Sequence, residues 1–373
     1  FSGRLSGVVG VEAAEGRVTV TLTAPNGALP ALLDIPIVKA GGGEAPLGTG
    51  PYVLTQAGEE ALLTARSGWW QGKPLPAETI PLVDIRAADD LIYAFDTGDI
   101  SLVTADLTGT GSLGFAGDHE VWDCPSSTMI YIGYNCARGP CADAALRRAL
   151  DRAWDRNTVA VALFSRHAQA AVLPVHPASP LYDQEADQRR GYSTQALGEL
   201  LAQAGYAQDQ EGRWARGGAP LELTFVVSTD NTFRLSAAEY LAGELGRAGI
   251  TVDLQKLPWS DYVQALERGS FDLYLGATAL SADFDPAPLL TGALNYGGYW
   301  NDQTNALLGA YQAASGEARV STATALWAAL ESEAPFSTLC FTNQSVLTKW
   351  GAVSGLTPTQ QDPFYGIEHW SVS

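Results

Sequence analysis

The sequence is poor in basic residues, and this shortage excludes several kinds of partner. Its 373 residues hold 22 Lys and Arg against 41 Asp and Glu, a formal net charge of −19. A chain this acidic repels phosphate backbones, so we expect no nucleic-acid partner. The chain has no run of about 18 apolar residues, so no segment is expected to span a membrane. It shows no secretory leader and opens almost directly into a predicted strand, so we expect that an N-terminal portion is absent.

The motifs of several enzymes and metal sites are absent as well. Neither a GxSxG nucleophile elbow nor a P-loop occurs, which argues against an α/β-hydrolase and an NTPase. The four histidines (His119, His167, His176 and His369) form no HExxH motif and no close pair, and no CxxC is present, so no metal site is expected. The stretch 109–114 matches GxGxxG, but no helix follows it, and we interpret it as a loop.

The four cysteines leave two alternatives open. Cys136 and Cys141 flank the turn-prone sequence Ala-Arg-Gly-Pro. A disulfide that closes this small loop and a pair of unpaired thiols both fit the spacing.

Apolar and aromatic residues, in contrast, are plentiful. Hydrophobic residues make up 46% of the chain, and it holds 10 Trp against a single Met, which suggests aromatic-lined surfaces in addition to large cores. A typical domain has about 100–200 residues, so two or three domains are expected. The candidates for lining a ligand cleft are Trp69, Trp70, Trp259, Tyr296, Tyr299 and Trp300.

Hydrophobic periodicity predicts an α/β fold. The predicted strands are Arg17–Thr23, Tyr52–Thr55, Ala61–Ala65, Ile80–Arg86, Ser101–Val103, Thr128–Asn135, Leu221–Val227, Thr251–Gln255, Phe271–Gly276, Thr338–Asn343 and Glu368–Val372. The predicted helices are Ala88–Thr97, Ala144–Arg156, Thr194–Ala204, Phe233–Ala248, Thr304–Ala314 and Glu317–Glu333, with a further helix capped by Ser260. An Ala/Gly-rich linker is predicted at 40–45. The β-α-β-α-β order from Leu221 onward implies a largely parallel sheet.

A loop with two carboxylates follows the predicted strand Phe271–Gly276. In open α/β sheets ligands bind beyond the carboxyl ends of strands, which makes Ala282–Pro286 the first candidate site. Asp285 precedes Pro286 and suits a local cap, whereas Asp283 has no such role and suits a cationic ligand group. As a pair, the two carboxylates could also act as acid and base in glycoside cleavage.

Seven segments occur in a characteristic order along the chain. They are Pro46–Tyr52 (PLGTGPY), Trp69–Pro74 (WWQGKP), Tyr131–Asn135 with Asp143–Arg156, Ala196–Tyr206, Tyr262–Tyr274, Ala282–Pro286 (ADFDP) and Tyr299–Asp302 (YWND). Together they resemble the bacterial extracellular solute-binding proteins of family 5, the peptide and nickel receptors of ABC importers. The resemblance runs from about Val18 to the C-terminus.

The resemblance implies a two-lobed periplasmic-binding-protein-like α/β fold with an extra small domain, incomplete at its N-terminus. Residues 1–38 would be a remnant of the extra domain. Residues 39–127 and 341–373 would form an incomplete lobe I, and residues 128–340 would form lobe II. The ligand would be enclosed between the lobes.

The resemblance also implies a receptor rather than an enzyme, without catalytic residues, metal or cofactor. In the family's peptide receptors the Asp of this loop holds the free amino terminus of the peptide, and here that position is Asp283. Asn295, Tyr296 and Trp300 would add polar and stacking contacts. The expected ligand is a short peptide, although Leu280 stands where peptide binders often have Trp.

The expected partners are this small-molecule or oligopeptide ligand and the permease of an ABC importer. We expect an extracytoplasmic monomer, either periplasmic or a cell-surface lipoprotein, whose membrane anchor would lie in the absent N-terminal part. Two alternatives stay open at this point. One is a secreted glycoside hydrolase that uses the paired carboxylates, and the other is a ligand sensor of the same fold that takes no part in transport.

Overall fold

The computed structural model describes residue 5 and residues 7–41, 47–58, 60–110 and 113–373. The predicted linker at 40–45 and the loop at 109–114 lie partly outside these ranges. The chain divides into two compact units. Unit 1 comprises Phe1–Leu33 and Ser126–Thr342, and unit 2 comprises Asp34–Pro125 and Asn343–Ser373. That residues 1–38 belong to a separate small domain stays a prediction, as do the lobe boundaries.

The strands of the described residues are numbered in chain order. They are β1 (Val8–Ala14), β2 (Arg17–Leu22), β3 (Tyr52–Ala57), β4 (Glu60–Ala65), β5 (Thr79–Leu82), β6 (Leu102–Ala105), β7 (His119–Tyr134), β8 (Ala168–Ala170), β9 (Ala207–Gln208), β10 (Trp214–Arg216), β11 (Ala219–Pro220), β12 (Glu222–Ser228), β13 (Thr251–Leu257), β14 (Leu273–Ala279), β15 (Phe336–Lys349), β16 (Val353–Ser354) and β17 (Ser371–Val372).

The helices are numbered in the same way. They are α1 (Leu29–Leu32), α2 (Ala88–Thr97), α3 (Ala144–Asp151), α4 (Arg156–Thr158), α5 (Gln184–Arg190), α6 (Thr194–Gln203), α7 (Thr232–Arg247), α8 (Trp259–Arg268), α9 (Ala287–Leu290), α10 (Asp302–Ala313) and α11 (Gly316–Glu333). Among the residues that the structure describes, no helix is both long enough and apolar enough to cross a membrane.

A mixed sheet forms the centre of unit 1. Its strand order is β13-β12-β14-β7-β15, and β8 pairs with β15. β12 lies between two parallel neighbours, β13 and β14, whereas β14 pairs antiparallel with β7. The prediction of a largely parallel sheet is therefore too broad. The parallel pairs recorded among the described residues join the strands that α7 and α8 connect, because a helical crossover returns the chain in the same direction.

Both faces of this sheet are covered by apolar clusters. Along β7, Ile130 and Ile132 belong to one buried cluster, and Met129 and Tyr131 belong to the other. Successive side chains of a strand point to opposite faces, so this alternation places one cluster on each side. A strand buried on both faces reads as a continuous apolar run, which is why residues 128–135 are recognisable as a strand from the sequence.

Local capping decides where two predicted helices begin and end. The Asp143 carboxylate accepts a hydrogen bond from the Ala145 amide (2.9 Å) and begins α3, as predicted. The predicted continuation to Arg156 is wrong, because the Asp155 side chain caps a separate helix, α4, by accepting from the Thr158 amide (3.1 Å). Ser260 is not a cap either: it lies inside α8, which begins after Pro258.

A buried ionic network ties α3 to the rest of unit 1. The Asp151 carboxylate accepts from Arg156 (2.6 Å) and Arg190 (2.8 and 2.9 Å), and from the Ser337 hydroxyl (2.5 Å). All three charged residues are buried, with at most 5% of their surface exposed. The carboxylate thus has the paired and hydrogen-bonded surroundings that a buried charge requires.

Unit 2 is built around antiparallel pairing. β3, β4 and β5 form a three-stranded sheet, and the last part of β15 pairs with β6. β3 and β4, which contain the predicted strands Tyr52–Thr55 and Ala61–Ala65, pair as an antiparallel hairpin. The turn before β3 is held by Trp69 and Trp70, whose indole N–H groups both donate to the Thr49 carbonyl (3.1 Å each).

Candidate functional site

The carboxyl ends of three parallel strands lie at one edge of the unit 1 sheet. β12, β13 and β14 end at Ser228, Leu257 and Ala279 and run in the same direction. Near this edge, a cavity of about 80 Å³ lies between α8 and the sheet. It is lined by Tyr131, Val227, Ser228, Arg234, Trp259, Tyr262, Val263, Leu266, Tyr274, Leu275, Gly276, Ala277, Leu294 and Tyr296. A concave, mainly apolar site with a few polar groups is typical of a ligand pocket.

Two reciprocal Tyr–Gly pairs form one wall of the cavity. In the β7–β14 register, Tyr131 lies opposite Gly276, and Tyr274 lies opposite Gly133. A Cβ atom on Gly276 would lie 2.6 Å from Cζ of Tyr131, and one on Gly133 would overlap the Tyr274 ring. Each ring therefore occupies the space above a glycine on the neighbouring strand. The two rings meet edge to face, with their centroids 5.7 Å apart.

The tyrosine hydroxyls of this wall are neutral hydrogen-bonding groups. Burial raises the pKa of Tyr131 to about 12, and it also raises the pKa values of Tyr262 and Tyr274. Tyr262 donates to the Leu275 carbonyl (2.9 Å), which joins α8 to β14. The wall therefore presents aromatic surface and hydroxyl groups, without negative charge, throughout the neutral pH range.

Trp259 and Arg234 complete the lining. The Trp259 ring stacks on Tyr262 with centroids 5.6 Å apart and an angle of 29° between the planes. It is 52% exposed, so an apolar surface faces solvent beside the cavity. Arg234, near the start of α7, brings a guanidinium group to the lining. A ligand in this cavity would meet aromatic surface and one or more polar groups.

Asp283 lies in a buried loop beside an arginine. Its side chain is 7% exposed, its carboxylate accepts from the Ser281 hydroxyl, and its Oδ2 lies 3.8 Å from Arg319 Nη2. The hydrogen bonds of Arg319 go to backbone carbonyls, that of Asp283 (2.9 Å) and that of Tyr311 (3.0 Å). The Tyr311 hydroxyl donates to the same Asp283 carbonyl (2.7 Å). Three side chains thus fix the backbone and the carboxylate of Asp283.

The following residues of this loop are also held firmly. Phe284 has a φ of 54°, a left-handed conformation that is unfavourable for a bulky residue, and its ring packs edge to face on Phe341. Asp285 accepts from the Ala287 amide (2.9 Å) and from the Gln312 side chain (2.8 Å). Asp285 therefore has the local capping role that its position before Pro286 predicts.

The other predicted ligand contacts lie in different surroundings. Tyr296 lines the cavity. Asn295 lines a smaller crevice nearby, and its amide group donates to the Leu290 and Tyr299 carbonyls and accepts from the Tyr299 amide (2.9 Å each). Trp300 is 71% exposed, and its indole donates to Asp302 (3.0 Å). The four predicted residues do not all line one cavity, and whether each contacts ligand stays a prediction.

Sequence reasoning identified Trp259 and Tyr296 and missed Tyr131, Tyr274 and Arg234. A signal for the two tyrosines does exist. The chain contains Tyr-x-Gly three times, and two of the matches, at 131–133 and 274–276, lie in neighbouring strands, whereas the third, at 296–298, lies in a loop. In two antiparallel neighbours with this register, such a repeat lets each ring cover the glycine of the other strand. No comparable local pattern marks Arg234.

The described residues that line the cavity include no cysteine. Cys136 and Cys141 are free thiols, as are Cys124 and Cys340. Of the two alternatives that the sequence leaves open, the structure has unpaired thiols. Burial raises the pKa of Cys136 to about 11, so this thiol is unreactive at neutral pH.

Comparisons with known proteins define the fold. A nickel ABC transporter structure from Bacillus halodurans aligns with a TM-score of 0.76 at 17% identity, covering 95% of this chain and 77% of that one. The oligopeptide-binding protein AppA from Bacillus subtilis, in complex with a nonapeptide, aligns with a TM-score of 0.62 at 20% identity, covering 100% and 79%. At these identities the likeness shows the fold alone, which is the periplasmic-binding-protein type.

Sequence comparison identifies the family. The model of "bacterial extracellular solute-binding proteins, family 5 Middle" matches residues 5–301, and the chain belongs to this family. It is 23% identical to the Bacillus subtilis AppA over 274 residues, 70% of this chain and 50% of that protein. It is 27% identical to protein XP55 of Streptomyces lividans over 307 residues, which cover 77% of this chain and 55% of that protein. The chain thus spans about half the length of these relatives. Membership places it among solute-binding proteins rather than enzymes.

Proposed function

We propose that this chain is the ligand-binding part of an extracellular receptor that delivers a short peptide to an ABC importer. The observation that carries the proposal is the family match over residues 5–301, which contains every residue of the cavity at the carboxyl edge of the sheet. Relatives named as oligopeptide-binding and di/tripeptide-binding proteins favour a peptide over other solutes.

We further propose that Asp283 pairs with the ammonium group of the ligand. Its carboxylate is held by Ser281 and stays within 3.8 Å of Arg319, whose own hydrogen bonds go to backbone carbonyls. The carboxylate is thus ordered before the ligand arrives, which lowers the entropy that binding would otherwise lose. Tyr296 would contact the ligand from the cavity, Trp300 would stack on it from the exposed side, and Asn295 would shape the loop between them.

The test is calorimetry of the protein with a panel of di- and tripeptides, comparing wild type with Asp283→Asn. A charge-assisted hydrogen bond contributes about 1.5–3 kcal/mol, so the variant should bind about 10- to 100-fold more weakly. N-acetylated peptides, which lack the ammonium group, should bind weakly to both proteins.

Asp302→Asn is the matched control. It removes an exposed carboxylate at the start of α10, beside Trp300, and should leave affinity within about twofold. Equal affinity of Asp283→Asn and wild type for a peptide would contradict the role of Asp283. The absence of peptide binding to wild type would contradict the peptide ligand itself.

The location and partners follow from the same proposal. The family is extracellular, and we propose that the protein works in the periplasm or as a cell-surface lipoprotein, as a monomer that docks on a permease. Loss of peptide uptake on deletion of the receptor gene would support transport, whereas unchanged uptake would favour the sensor alternative. The hydrolase alternative has no support, since Asp285 is engaged in two structural hydrogen bonds.

A further inference from the structure

The dimensions of the cavity and the chemistry of its walls restrict the group that it can hold. The cavity volume is about 80 Å³. An enclosed apolar cavity of about 150 Å³ accommodates a benzene molecule, and this cavity, which is partly open to solvent, has about half that volume. A group of three or four carbon atoms matches that space.

The walls that set this size are rigid. Tyr131, Tyr262 and Tyr274 are each at most 4% exposed, and the hydroxyl of Tyr262 is tied to β14. Tyr274 is enclosed by three aromatic rings, those of Tyr131, Phe271 and Tyr296, at centroid distances of 5.1–6.2 Å. Because the rings pack on one another, none can turn aside to admit a larger group without disturbing its neighbours.

The rest of the lining is mixed. Val263, Leu266 and Leu294, which belong to the same apolar cluster as the tyrosines, supply branched apolar surface, and Ser228 and Arg234 supply polar groups. Burial of an apolar group here gains about 25 cal/mol for each Å² removed from water. A branched aliphatic group fits this apolar surface, whereas an ammonium group would lose its hydration and face the guanidinium group of Arg234.

We propose that the cavity holds a branched aliphatic group of three or four carbons from the ligand, such as the side chain of valine or leucine, and excludes an aromatic ring. The inference deepens the proposed function, on which its choice of peptide ligand rests. The cavity is the apolar subsite that selects among peptides by the size of one side chain.

A pair of alcohols tests the cavity without reference to peptides. Binding of 2-methyl-1-propanol and of benzyl alcohol is measured from the amide NMR signals of Gly276 and Ala277. One methylene too many in an apolar pocket weakens binding about tenfold or more, so the aliphatic alcohol should bind at least about tenfold more tightly. Equal or tighter binding of benzyl alcohol would overturn the inference.

Two variants that change the volume extend this test. Leu294→Ala enlarges the cavity and should raise the affinity for benzyl alcohol about tenfold, while Leu307→Ala, in the same apolar cluster but outside the lining, should not. Val263→Phe, on α8 and in the same apolar cluster as the three tyrosines, fills the cavity and should abolish binding of 2-methyl-1-propanol. If Val263→Phe binds this alcohol as wild type does, the alcohol lies elsewhere and the inference is refuted, even where Leu294→Ala fails to fold.

Dipeptides then separate this inference from the proposed function. Gly-Leu, Leu-Gly, Gly-Phe and Phe-Gly are compared by calorimetry, and a leucine peptide should bind at least about tenfold more tightly than its phenylalanine counterpart. If no dipeptide binds while the alcohols still show the aliphatic preference, the peptide function fails and the size selectivity of the cavity stands. If dipeptides bind and phenylalanine is preferred, the inference fails and the peptide function stands.

Discussion

The Tyr131–Gly276 pair makes a quantitative prediction about stability. A Cβ atom at position 276 would lie 2.6 Å from Cζ of Tyr131, about 1 Å closer than the optimal carbon–carbon separation. The ring is 2% exposed and lies against Tyr274 and Phe336, with ring centroids 5.7 and 6.2 Å away, so it cannot move into solvent. Gly276→Ala therefore overpacks the contact between β7 and β14, which costs about 1–3 kcal/mol.

The same substitution also changes the free energy of the unfolded chain, and this effect on stability has the opposite sign. Replacing glycine with alanine restricts the unfolded state and stabilises a protein by about 0.4–1 kcal/mol where the native backbone allows it. Gly309→Ala in α10 isolates this term, because nothing lies within 4 Å of the added methyl group. We expect the free energy of unfolding of Gly276→Ala to lie about 1–3 kcal/mol below that of Gly309→Ala.

Urea unfolding followed by far-UV circular dichroism measures both variants. The combination of Tyr131→Ala with Gly276→Ala completes a double-mutant cycle, in which the alanine at 276 should lose its cost once the ring is gone. A coupling energy near zero, or a Gly276→Ala protein as stable as Gly309→Ala, would refute the placement of the Tyr131 ring over Gly276.

Two further predictions concern polar groups. Asn295→Ala removes three hydrogen bonds within one loop and should lower the free energy of unfolding by about 2–3 kcal/mol, whereas Trp300→Ala, at an exposed position, should change it by less than about 0.5 kcal/mol; urea titration distinguishes them. Burial alone would raise the pKa of Asp151. The positive charges of Arg190 and Arg156 have the larger effect and hold this pKa well below its usual range. This carboxylate therefore stabilises the fold above about pH 4 and loses that contribution as the pH falls further, so unfolding measured between pH 5 and 2 should show a steep acid limb. Asp151→Asn should flatten that limb while lowering stability at pH 7 by about 3–5 kcal/mol, because two buried guanidinium groups lose their counter-ion; an unchanged acid limb would contradict the assignment.

Features that depend on short stretches of chain were predictable from the sequence. Helix α2 begins and ends where predicted, since Gly98 adopts the left-handed conformation (φ 87°) that ends it. Strand β7 is longer than predicted and begins at His119. Its first half carries polar and apolar residues without a clean alternation, so the periodicity reveals only the buried part.

Features that depend on residues far apart in the chain were not predictable from the sequence. Asp283 reads as a carboxylate without a local role, but Arg319 is 36 positions further along the chain and no local pattern links the two. Asn295 is a polar loop residue of a type that often binds ligands, and its side-chain hydrogen bonds stabilise its own loop. A polar residue in a loop serves either purpose, and only the three-dimensional positions of its partners decide which.

The two Tyr–Gly pairs also bear on how the size of the cavity could change during evolution. In each pair, a tyrosine ring on one strand fills the space above a glycine, which has no side chain, on the other strand. An exchange of tyrosine and glycine within a pair would keep the total core volume and would attach the aromatic ring to the other strand. Two compensating substitutions can thus change the shape of this cavity without altering the backbone that carries it.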